Sequence, residues 1–296
     1  MGRGRGPFAD AGPFQHVTTH GTVHRCAAAL GAARAGREAG GVDGGVLAAL
    51  ADLLLPRECA GCGVPGAVLC RRCVALVAVP HLAQPRRFPA GFPPTVAAGA
   101  YDGPVRPAVN AFKERGRAEL AGPLGAALAL AVAGVLAGLS GRPGPVRLVP
   151  VPSSAAALRA RGRDHVRELT ARAVAELRAA GVPAAEARLL RRSGRAADSA
   201  GLSAAQRRAN LAGTFTLRPG SAALPATAVL VVVDDVVTSG ATLTEAAGVL
   251  APAAGREGPP VLAAVVAATP RRTAVEGRAG AGGGPADRLS GPGDRD

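Results

Sequence analysis

The sequence predicts an α/β domain built on a mainly parallel β-sheet with flanking helices, preceded by a small cysteine-rich module. Three observations support this prediction. Short apolar runs alternate with longer helical patterns between residues 96 and 268, as in a parallel sheet with crossover helices. One of these runs, residues 229–233, is followed directly by an Asp-Asp pair and a loop of small residues. Two Cys-x-x-Cys pairs lie upstream, between residues 59 and 73.

The composition is that of a globular chain with a strongly basic balance. Apolar residues make up 48% of the 296 residues but aromatic residues only 2%, so the core must consist mainly of Ala, Val and Leu. The formal net charge is +14, and Lys113 is the only lysine. Such a charge permits nucleic-acid or polyphosphate partners, and the codons of a GC-rich genome also produce it. Charge alone therefore identifies no partner.

The sequence contains no obvious targeting or anchoring segment. No apolar run approaches the roughly 18–20 residues that a membrane-spanning helix needs. The N-terminal region lacks the charged, apolar and cleavage-site order of a signal peptide. We therefore expect a cytoplasmic protein without membrane insertion, in which cysteines serve as ligands rather than as disulfides.

Composition divides the chain into four parts. Residues 1–44 are rich in Gly, Arg, Ala and His, which predicts disorder or upstream sequence from a misplaced start codon. Residues 45–80 are expected to form the cysteine-rich module. After a Pro-rich connector, residues 95–270 are expected to form the α/β domain. The Gly-, Arg- and Asp-rich tail, residues 275–296, is predicted to be disordered.

Two cysteine knuckles predict a metal site in the module. Cys59 and Cys62 form the first knuckle, Cys70 and Cys73 form the second, and seven residues separate the two. Each knuckle places two thiolates on one turn, and two knuckles complete the tetrahedral sulfur set that suits Zn²⁺. Because all four positions would be protein ligands, such a zinc site is structural. The alternative is a redox-active cysteine pair.

The first elements of the α/β domain follow from short patterns. Residues 96–101 have the composition of a strand that ends in an Asp-Gly turn. Residues 119–139 form a long Ala/Leu segment typical of a helix, although Gly122-Pro123 and Gly134 are potential breaks. Residues 146–151 predict the next strand.

Basic residues cluster after the strand at 146–151. Arg159, Arg161 and Arg163 follow its Pro-Ser-Ser end, alternating around Gly162, and Lys113 lies in an earlier basic segment. Clustered arginines on a loop beyond a strand suit a pyrophosphate group. We take these four basic residues as pyrophosphate-binding candidates. The alternative is a solvated basic turn.

The elements that follow alternate in the same way. Apolar residues between 166 and 177 recur at helical spacing, and the helix is expected to end near Gly181. Leu189 and Leu190 begin a strand, and residues 214–217 form a β-ribbon. A Ser203/Gln206 capping box predicts a short helix between these two elements. Residues 261–268 form the last buried strand.

The stretch 229–242 is the candidate ligand site. Its β-branched run predicts a strand buried on both faces, and Asp234 and Asp235 follow where that strand is expected to end. Thr238, Ser239 and Gly240 form the small-residue loop, and a helix begins near Thr242. A helix N-terminus attracts phosphate, whereas the carboxylates suit ribose hydroxyls or Mg²⁺ nearby. The stretch therefore indicates a grip for ribose 5-phosphate; the alternative is an ordinary strand with an Asp-rich turn.

This stretch resembles the PRPP-binding signature of type I phosphoribosyltransferases. That signature has four apolar residues, two acids, two apolar residues, Thr, Thr or Ser, Gly, any residue and Thr, and every position matches here. The resemblance implies that Asp234 and Asp235 hold the ribose hydroxyls, with Mg²⁺ accompanying PRPP. It assigns the 5-phosphate to the loop and helix start: Thr238, Ser239, Gly240, Ala241 and Thr242.

The motifs together resemble the ComF family, whose members join a zinc-ribbon-like segment to a phosphoribosyltransferase domain. The resemblance covers about residues 46–270. It rests on the knuckles, residues 101–106 with Phe112-Lys113, residues 149–152 with Arg161-Gly162, residues 201–203 with 207–210 and Phe215, and the PRPP signature. It implies a role in handling single-stranded DNA during transformation, with a helicase or primosomal partner.

Two departures from the family pattern concern the second substrate. Arg163, Asp164 and His165 stand where the family usually has an aromatic residue, Asn and Gln. Asp198-Ser199 lies where a Gln is common. Three functions remain open: a transferase, a non-catalytic protein that handles single-stranded DNA or nucleotide, and a PRPP-sensing regulator. No residue identifies itself as the base that accepts the acceptor's proton, so no catalytic residue is assigned.

Overall fold

The computed structural model describes residues 57–85, 89–139, 144–193, 213–219, 224–225, 227–254 and 259–270. The N-terminal segment 1–44, the first residues of the cysteine-rich module and the tail 275–296 lie outside these residues. So do the Ser203/Gln206 capping box and the departure at Asp198-Ser199.

A six-stranded sheet forms the centre of the α/β domain. Its strand order is β1-β2-β8-β7-β3-β4, and all neighbours are parallel except the antiparallel pair β1–β2. This confirms the predicted mainly parallel sheet. The strands are β1 His81–Leu82, β2 Thr95–Ala100, β3 Val146–Pro150, β4 Ala184–Glu186, β7 Val229–Val237 and β8 Leu262–Ala268.

A separate two-stranded antiparallel sheet contains β5, Leu190–Arg192, and β6, Phe215–Leu217. This sheet confirms the strand predicted at Leu190 and the β-ribbon that follows. Its residues Leu190 and Phe215 are buried in the same apolar cluster as Val151, just after β3, and Leu243. The small sheet therefore packs near the carboxyl ends of the main strands.

Six α-helices surround the two sheets in the described part of the chain. Their bounds are α1 Arg71–Leu76, α2 Val105–Glu114, α3 Ala121–Leu136, α4 Ala155–Arg161, α5 His165–Ala179 and α6 Ala241–Ala254. A short 3₁₀ turn, Ala118–Leu120, precedes α3. The helix predicted at residues 166–177 is confirmed as α5.

The sheet is buried on both faces, which explains its Val- and Ala-rich strands. On β7, Val231 and Val233 pack in the apolar cluster that contains α2, α3 and α5. Leu230 and Val232 belong to the opposite cluster, which contains α6 and the small sheet. The alternation follows from the two-residue period of side chains along a strand.

Helix α3 is continuous through the glycines and proline that are potential breaks. Pro123 lies in its first turn, where the missing N–H costs no intrahelical bond. Gly125 allows a close approach to α5, because a Cβ there would lie 2.4 Å from Arg172 Cβ. A Cβ at Gly134 would meet Val96 Cγ1 at 3.2 Å, so this glycine packs on β2.

The expectation that no segment is long and apolar enough to span a membrane is wrong. Among the described residues, the helical stretch Ala118–Leu136 meets that test by length and composition, although 72% of its apolar window is buried inside the protein. Its side chains, including Leu124 and Leu128, fill the core between the sheet and α5. It is therefore the central core helix of the α/β domain.

The strand order places a topological switch between β3 and β7. The chain leaves β3 toward β4 at one edge of the sheet, whereas it leaves β7 toward β8 in the opposite direction. In open parallel sheets, the crevice beyond the carboxyl ends of two such strands is the usual ligand site. The switch lies where β7 carries Asp234 and Asp235.

Candidate functional site

The carboxylate pair lies within β7 rather than after it. The strand was expected to end at Asp234, but it continues to Val237. The ladder to β8 explains the extension, because Val236 and Val237 still pair with Ala267 and Ala268. The two acids are therefore held on a central strand near its carboxyl end.

The environments of the two carboxylates differ because neighbouring side chains on a strand point to opposite faces. Asp235 contacts residues from α2 and α5, whereas Asp234 continues the alternation of Leu230 and Val232 toward the face of α6 and the small sheet. Asp235 is 3% exposed, and Asp234 is half-buried.

Asp235 is the centre of a buried cluster of charged and polar groups. Lys113 Nζ, from α2, lies 2.9 Å from its Oδ2. His165 Nε2, from the first residue of α5, lies 3.1 Å from the same oxygen. Its other oxygen, Oδ1, accepts the backbone N–H of Val236 at 2.7 Å. The carboxylate is thus satisfied by this protein's own groups.

These contacts shift two ionisation equilibria toward the charged forms. Burial by itself would raise the pKa of Asp235, but the hydrogen bond with His165 and the charge of Lys113 hold this pKa well below its usual range. Burial would likewise lower the pKa of Lys113, yet the charge of Asp235 raises it instead. The pair is therefore an ion pair at neutral pH.

The position of the proton on His165 follows from its neighbours. An ionised carboxylate can only accept a hydrogen bond, so Nε2 must carry the proton that points to Asp235. The buried Nδ1 has no hydrogen-bond partner among the described residues, so a proton there would leave a buried N–H unsatisfied. The Phe112 ring lies against His165 in an edge arrangement, with a centroid distance of 6.3 Å.

Within the described ranges, Asp234 has no cationic side chain at contact distance. Burial and the neighbouring charge of Asp235 raise the pKa of Asp234 to about 8. Its Oδ1 accepts the backbone N–H of Asp235 at 2.8 Å. Because it is the more exposed of the two acids, and because no side chain of the described residues neutralises it at contact distance, Asp234 is the acid that is open to a ligand.

The loop after β7 packs closely and leads into a helix N-terminus. Gly240 has φ +77°, and a Cβ there would lie 2.7 Å from the Phe92 ring, so both backbone and space require glycine. The predicted helix is confirmed as α6. Its first intrahelical bond runs from Thr244 N to Gly240 O at 2.9 Å. The N–H groups before Thr244 have no acceptor within the helix.

The hydroxyl residues of this loop surround that group of donors. Thr238 is exposed, whereas Ser239 and Thr242 are half-buried. Ser239 Oγ accepts the backbone N–H of Ala241 at 3.5 Å. The structure thus brings together all residues of the PRPP-like signature, Asp234, Asp235, Thr238, Ser239, Gly240, Ala241 and Thr242, at the carboxyl end of β7.

The arginines predicted to bind pyrophosphate lie on and after a helix instead of on a loop. Ser154 caps α4 by accepting the backbone N–H of Ala157 at 3.1 Å, and Gly162 ends the helix at φ +66°. Arg159 and Arg161 therefore belong to α4, whose cap the sequence analysis overlooked. Arg159 is exposed.

The remaining basic candidates already have acidic partners. Arg161 donates two hydrogen bonds to the carboxylate of Glu114, at 3.0 and 2.8 Å. Arg163 pairs with Glu168 and donates to the Phe112 carbonyl oxygen at 2.8 Å. Lys113 pairs with Asp235. Their role toward pyrophosphate stays a prediction, and it would require these partners to be exchanged.

Two residues of the site were missed by sequence reasoning. His165 appeared only as a departure from the family pattern, yet its side chain binds Asp235 directly. Arg192, on β5, lies near enough to Asp234 for the charge of that acid to raise the pKa of Arg192, against the lowering by burial. The two-residue period of side chains along a strand could have indicated that Asp234 and Asp235 face opposite sides of the sheet, but it does not identify the residues that contact each acid.

The four predicted cysteines form one cluster. The sulfur atoms of Cys59, Cys62, Cys70 and Cys73 all lie within 4.8 Å of one another. Cys62 Sγ and Cys70 Sγ are 3.6 Å apart. Zn–S bonds of about 2.3 Å in a tetrahedron would separate the sulfurs by about 3.8 Å. The cluster therefore fits a metal ion such as zinc.

The backbone of the module prepares the cysteines for a metal. Cys70 N–H donates to Cys59 Sγ at 3.3 Å, the kind of contact that stabilises a thiolate. Burial alone would raise the pKa of Cys59, but this and neighbouring backbone N–H groups lower it to about 6. Burial and the surrounding sulfurs raise the pKa of Cys73. A cation at the centre would favour thiolates at all four positions.

The cysteine module shares its core with the α/β domain. Cys59 and Cys73 are buried in the same apolar cluster as Phe112 and Leu124. Arg117 Nη1 donates to the Glu58 carbonyl oxygen at 3.0 Å. At Gly99 on β2, a Cβ would lie 2.5 Å from the carbonyl oxygen of Leu76, so this glycine lets the module approach the sheet.

Comparisons with known proteins find no matching family model and no matching curated protein. The cysteine cluster and the mostly parallel sheet are compatible with a zinc-ribbon module joined to a phosphoribosyltransferase-like fold.

Proposed function

We propose that the carboxyl edge of β7 binds PRPP, or a nucleotide with the same ribose 5-phosphate group, together with Mg²⁺. The observation that supports this most is one of position. Asp234, which no side chain in the described part of the chain neutralises at contact distance, lies a short loop away from the N-terminus of α6, at the switch between β3 and β7. A carboxylate and a phosphate-attracting helix end at this separation complement a ribose and its 5-phosphate.

The two acids have different parts in this proposal. Asp234 accepts hydrogen bonds from the ribose hydroxyls, because it is the more exposed acid. Asp235 is fixed by its contacts with Lys113 and His165 and stabilises β7 on the opposite face of the sheet. The 5-phosphate takes the N–H donors of residues 240–242 and the hydroxyls of Thr238, Ser239 and Thr242. Mg²⁺ arrives with the diphosphate of PRPP.

The cysteine cluster is proposed to hold a structural zinc ion. All four sulfurs would be ligands, so no position remains for a substrate or water. The ion would lock residues 59–73 against the domain core, where two of the cysteines are already buried.

The biological role proposed is that of a ComF-like protein in the cytoplasm, acting in the uptake of DNA during transformation with a helicase or primosomal partner. The combined motifs support it: paired knuckles before a phosphoribosyltransferase-like sheet that carries the PRPP signature. A single tyrosine and six phenylalanines provide few stacking surfaces, so single-stranded DNA would be bound mainly through charge.

Binding without turnover is the second candidate, and one observation favours it. Arg161, Arg163 and Lys113, the groups expected to stabilise departing pyrophosphate, are paired with Glu114, Glu168 and Asp235. A transferase would have to release at least one of these pairs when the bond from ribose C1 to pyrophosphate breaks. A sensor or DNA-handling protein has no such requirement.

Calorimetric titration with Mg²⁺·PRPP, combined with a pyrophosphate-release assay on the same sample, tests the proposal. Binding with release that one nucleobase accelerates would establish a transferase. Binding without release would support the sensor or DNA-handling role, and a steep salt dependence of single-stranded DNA affinity would then select the latter. Absence of PRPP and nucleotide binding would overturn the proposed function.

A further inference from the structure

Arg192 is a half-buried cation that has no hydrogen-bonding partner among the residues the structure describes. It ends β5, directly opposite Phe215 of β6 in the strand register. Its guanidinium carbon lies 5.6 Å from the centroid of the Phe215 ring, which is 2% exposed. Within the described residues, the guanidinium makes no hydrogen bond and no ion pair at contact distance.

The position of Arg192 links it to the candidate ligand site. Phe215 packs in the same cluster as Val151, which follows β3, and Leu243, which lies in the first turn of α6. These two residues lie on either side of the β3–β7 switch. The small sheet therefore forms a wall of the crevice at the carboxyl edge, on the face toward which Asp234 points.

The electrostatic surroundings agree with that position. Burial lowers the pKa of Arg192, and the carboxylate charge that opposes this effect is that of Asp234. Arginine nevertheless stays protonated in proteins, so the site keeps a positive charge that is partly removed from water. Five N–H donors in a planar fork are then available at a place where water is only partly able to satisfy them.

Other basic groups near the crevice differ in this respect. Arg161 and Arg163 each donate to a glutamate, and Lys113 is held by Asp235. A ligand that approaches those groups must compete with a carboxylate of the protein. Arg192 carries no such competition at contact distance, so an anionic ligand group can use its fork directly.

We propose that Arg192 binds a phosphate group of the ligand whose ribose is held by Asp234. The inference rests on the proposed function, since it assumes that a sugar phosphate occupies this crevice. The guanidinium group of Arg192 can donate two parallel hydrogen bonds to two phosphate oxygens. The contact with the Phe215 ring restricts the orientation of this guanidinium plane. The phosphate is either the diphosphate at ribose C1 or the 5-phosphate. Titrations with PRPP and with ribose 5-phosphate distinguish these two groups.

The test compares Arg192→Gln with Arg191→Gln. Arg191 is the preceding residue on the same strand, is exposed and pairs in register with Thr216, so its replacement controls for lost charge and for strand stability. Wild type and both variants are titrated with Mg²⁺·PRPP and with ribose 5-phosphate. Thermal unfolding of each variant shows that the small sheet remains folded, and Arg192→Lys serves as a second variant that retains the charge but loses the fork.

We expect Arg192→Gln to weaken PRPP binding about tenfold or more, the loss typical of a charge-assisted hydrogen bond, while Arg191→Gln stays near wild type. Unchanged ribose 5-phosphate affinity would assign Arg192 to the diphosphate, whereas an equal loss for both ligands would assign it to the 5-phosphate. Arg192→Lys should fall between wild type and Arg192→Gln.

Two negative results have different meanings. If wild type binds PRPP and Arg192→Gln binds it as well as Arg191→Gln does, the role of Arg192 is wrong and the proposed function stands. If wild type binds neither sugar phosphate, the proposed function fails, and the assignment of Arg192 fails with it.

Discussion

The cysteine cluster and the Asp235 cluster are built in opposite ways. The four cysteines lie within residues 59–73, and each knuckle brings its two sulfurs together through one local turn. The Asp235 cluster combines Lys113, His165 and Asp235, which come from two helices and a strand that are distant in sequence. The first cluster is arranged so that it could hold a metal ion, whereas the second is neutralised by the protein itself. The comparison predicts that loss of a member has different consequences in each.

Replacement of Cys59 by Ser should have the largest effect. Without this buried ligand, the zinc ion would be lost, and residues 59–73 would no longer be held against the core of the α/β domain. We expect destabilisation on the order of 5 kcal/mol, because binding of a structural zinc ion is a large part of the folding free energy of such modules. Metal analysis and thermal unfolding measure both effects.

Cys26→Ser is the matched control for that variant, since Cys26 lies outside both knuckles. It should retain stoichiometric zinc and wild-type stability. A purified wild-type protein without zinc, or a Cys59→Ser variant that retains it, would contradict the metal assignment.

Replacement of Asp235 by Asn should have the next largest effect on stability. It leaves the ammonium of Lys113, whose side chain is 31% exposed, without its counter-charge. We expect a loss of about 2–3 kcal/mol in the free energy of unfolding, below the range for a fully buried pair because Lys113 is partly solvated. Chemical denaturation gives this value.

The double variant Asp235→Asn with Lys113→Met separates charge from packing. It leaves no unpaired charge, and the Asn oxygen can still accept the hydrogen bond of His165. Most of the lost stability should therefore return. A double variant that is less stable than Asp235→Asn would contradict the ion-pair explanation.

Replacement of His165 should have a smaller effect that depends on the substitute. His165→Leu removes the N–H that binds Asp235 and should cost about 1–2 kcal/mol. His165→Gln keeps an amide N–H donor and should remain within about 0.5 kcal/mol of wild type. Unfolding curves and PRPP affinities of both variants provide the measurement.

The contrast between these two variants also tests the departure from the family pattern. If Gln restores both stability and ligand affinity, His165 acts as a hydrogen-bond donor to Asp235, as an amide would. Equal behaviour of the Leu and Gln variants would show that the contact has no energetic importance.

Asp234→Asn should have a small effect on stability, and the size of this effect depends on pH. The pKa of Asp234 is raised to about 8 by burial and by the charge of Asp235, so the folded protein binds this proton more tightly than the unfolded chain does. Ionisation of Asp234 therefore costs stability as pH rises from about 4 to 8. The Asn variant lacks this cost.

Relative to wild type, Asp234→Asn should thus be equally stable near pH 4 and more stable by about 1 kcal/mol at pH 9, a value reduced for solvent screening. It should nevertheless weaken PRPP binding, because the amide offers the ribose hydroxyls one acceptor oxygen where the carboxyl group offers two. A variant that is less stable than wild type at pH 9 would contradict the raised pKa.

Local patterns in the sequence were the most reliable part of the prediction. The knuckles, the mainly parallel sheet, the helix at 166–177 and the order of strand, acids, loop and helix at 229–242 are all confirmed. Each depends on spacing within a few turns, which short-range sterics and side-chain period decide. The end of β7 was misplaced, because pairing with β8 extended the strand beyond its apolar run.

The surroundings of the arginines show what local reasoning does not reveal. Arg161 and Arg163 were predicted as ligand groups because they cluster after a strand, yet Glu114 and Glu168 lie beside them. Glu114 comes from α2, and no local pattern connects it with Arg161. No sequence pattern distinguishes Arg192 from the other arginines, because its surroundings depend on the packing of β5 and β6 against the main sheet.

The sequence by itself determined where the cysteine cluster and the loop proposed to bind phosphate lie, because these sites are made from neighbouring residues whose geometry is set by one or two turns. Only the tertiary structure decided which carboxylate is neutralised and which is open to a ligand. Strand alternation points Asp234 and Asp235 to opposite faces, and the packing of α2 and α5 brings Lys113 and His165 to one face alone. Charge pairing across such distances depends on the completed fold.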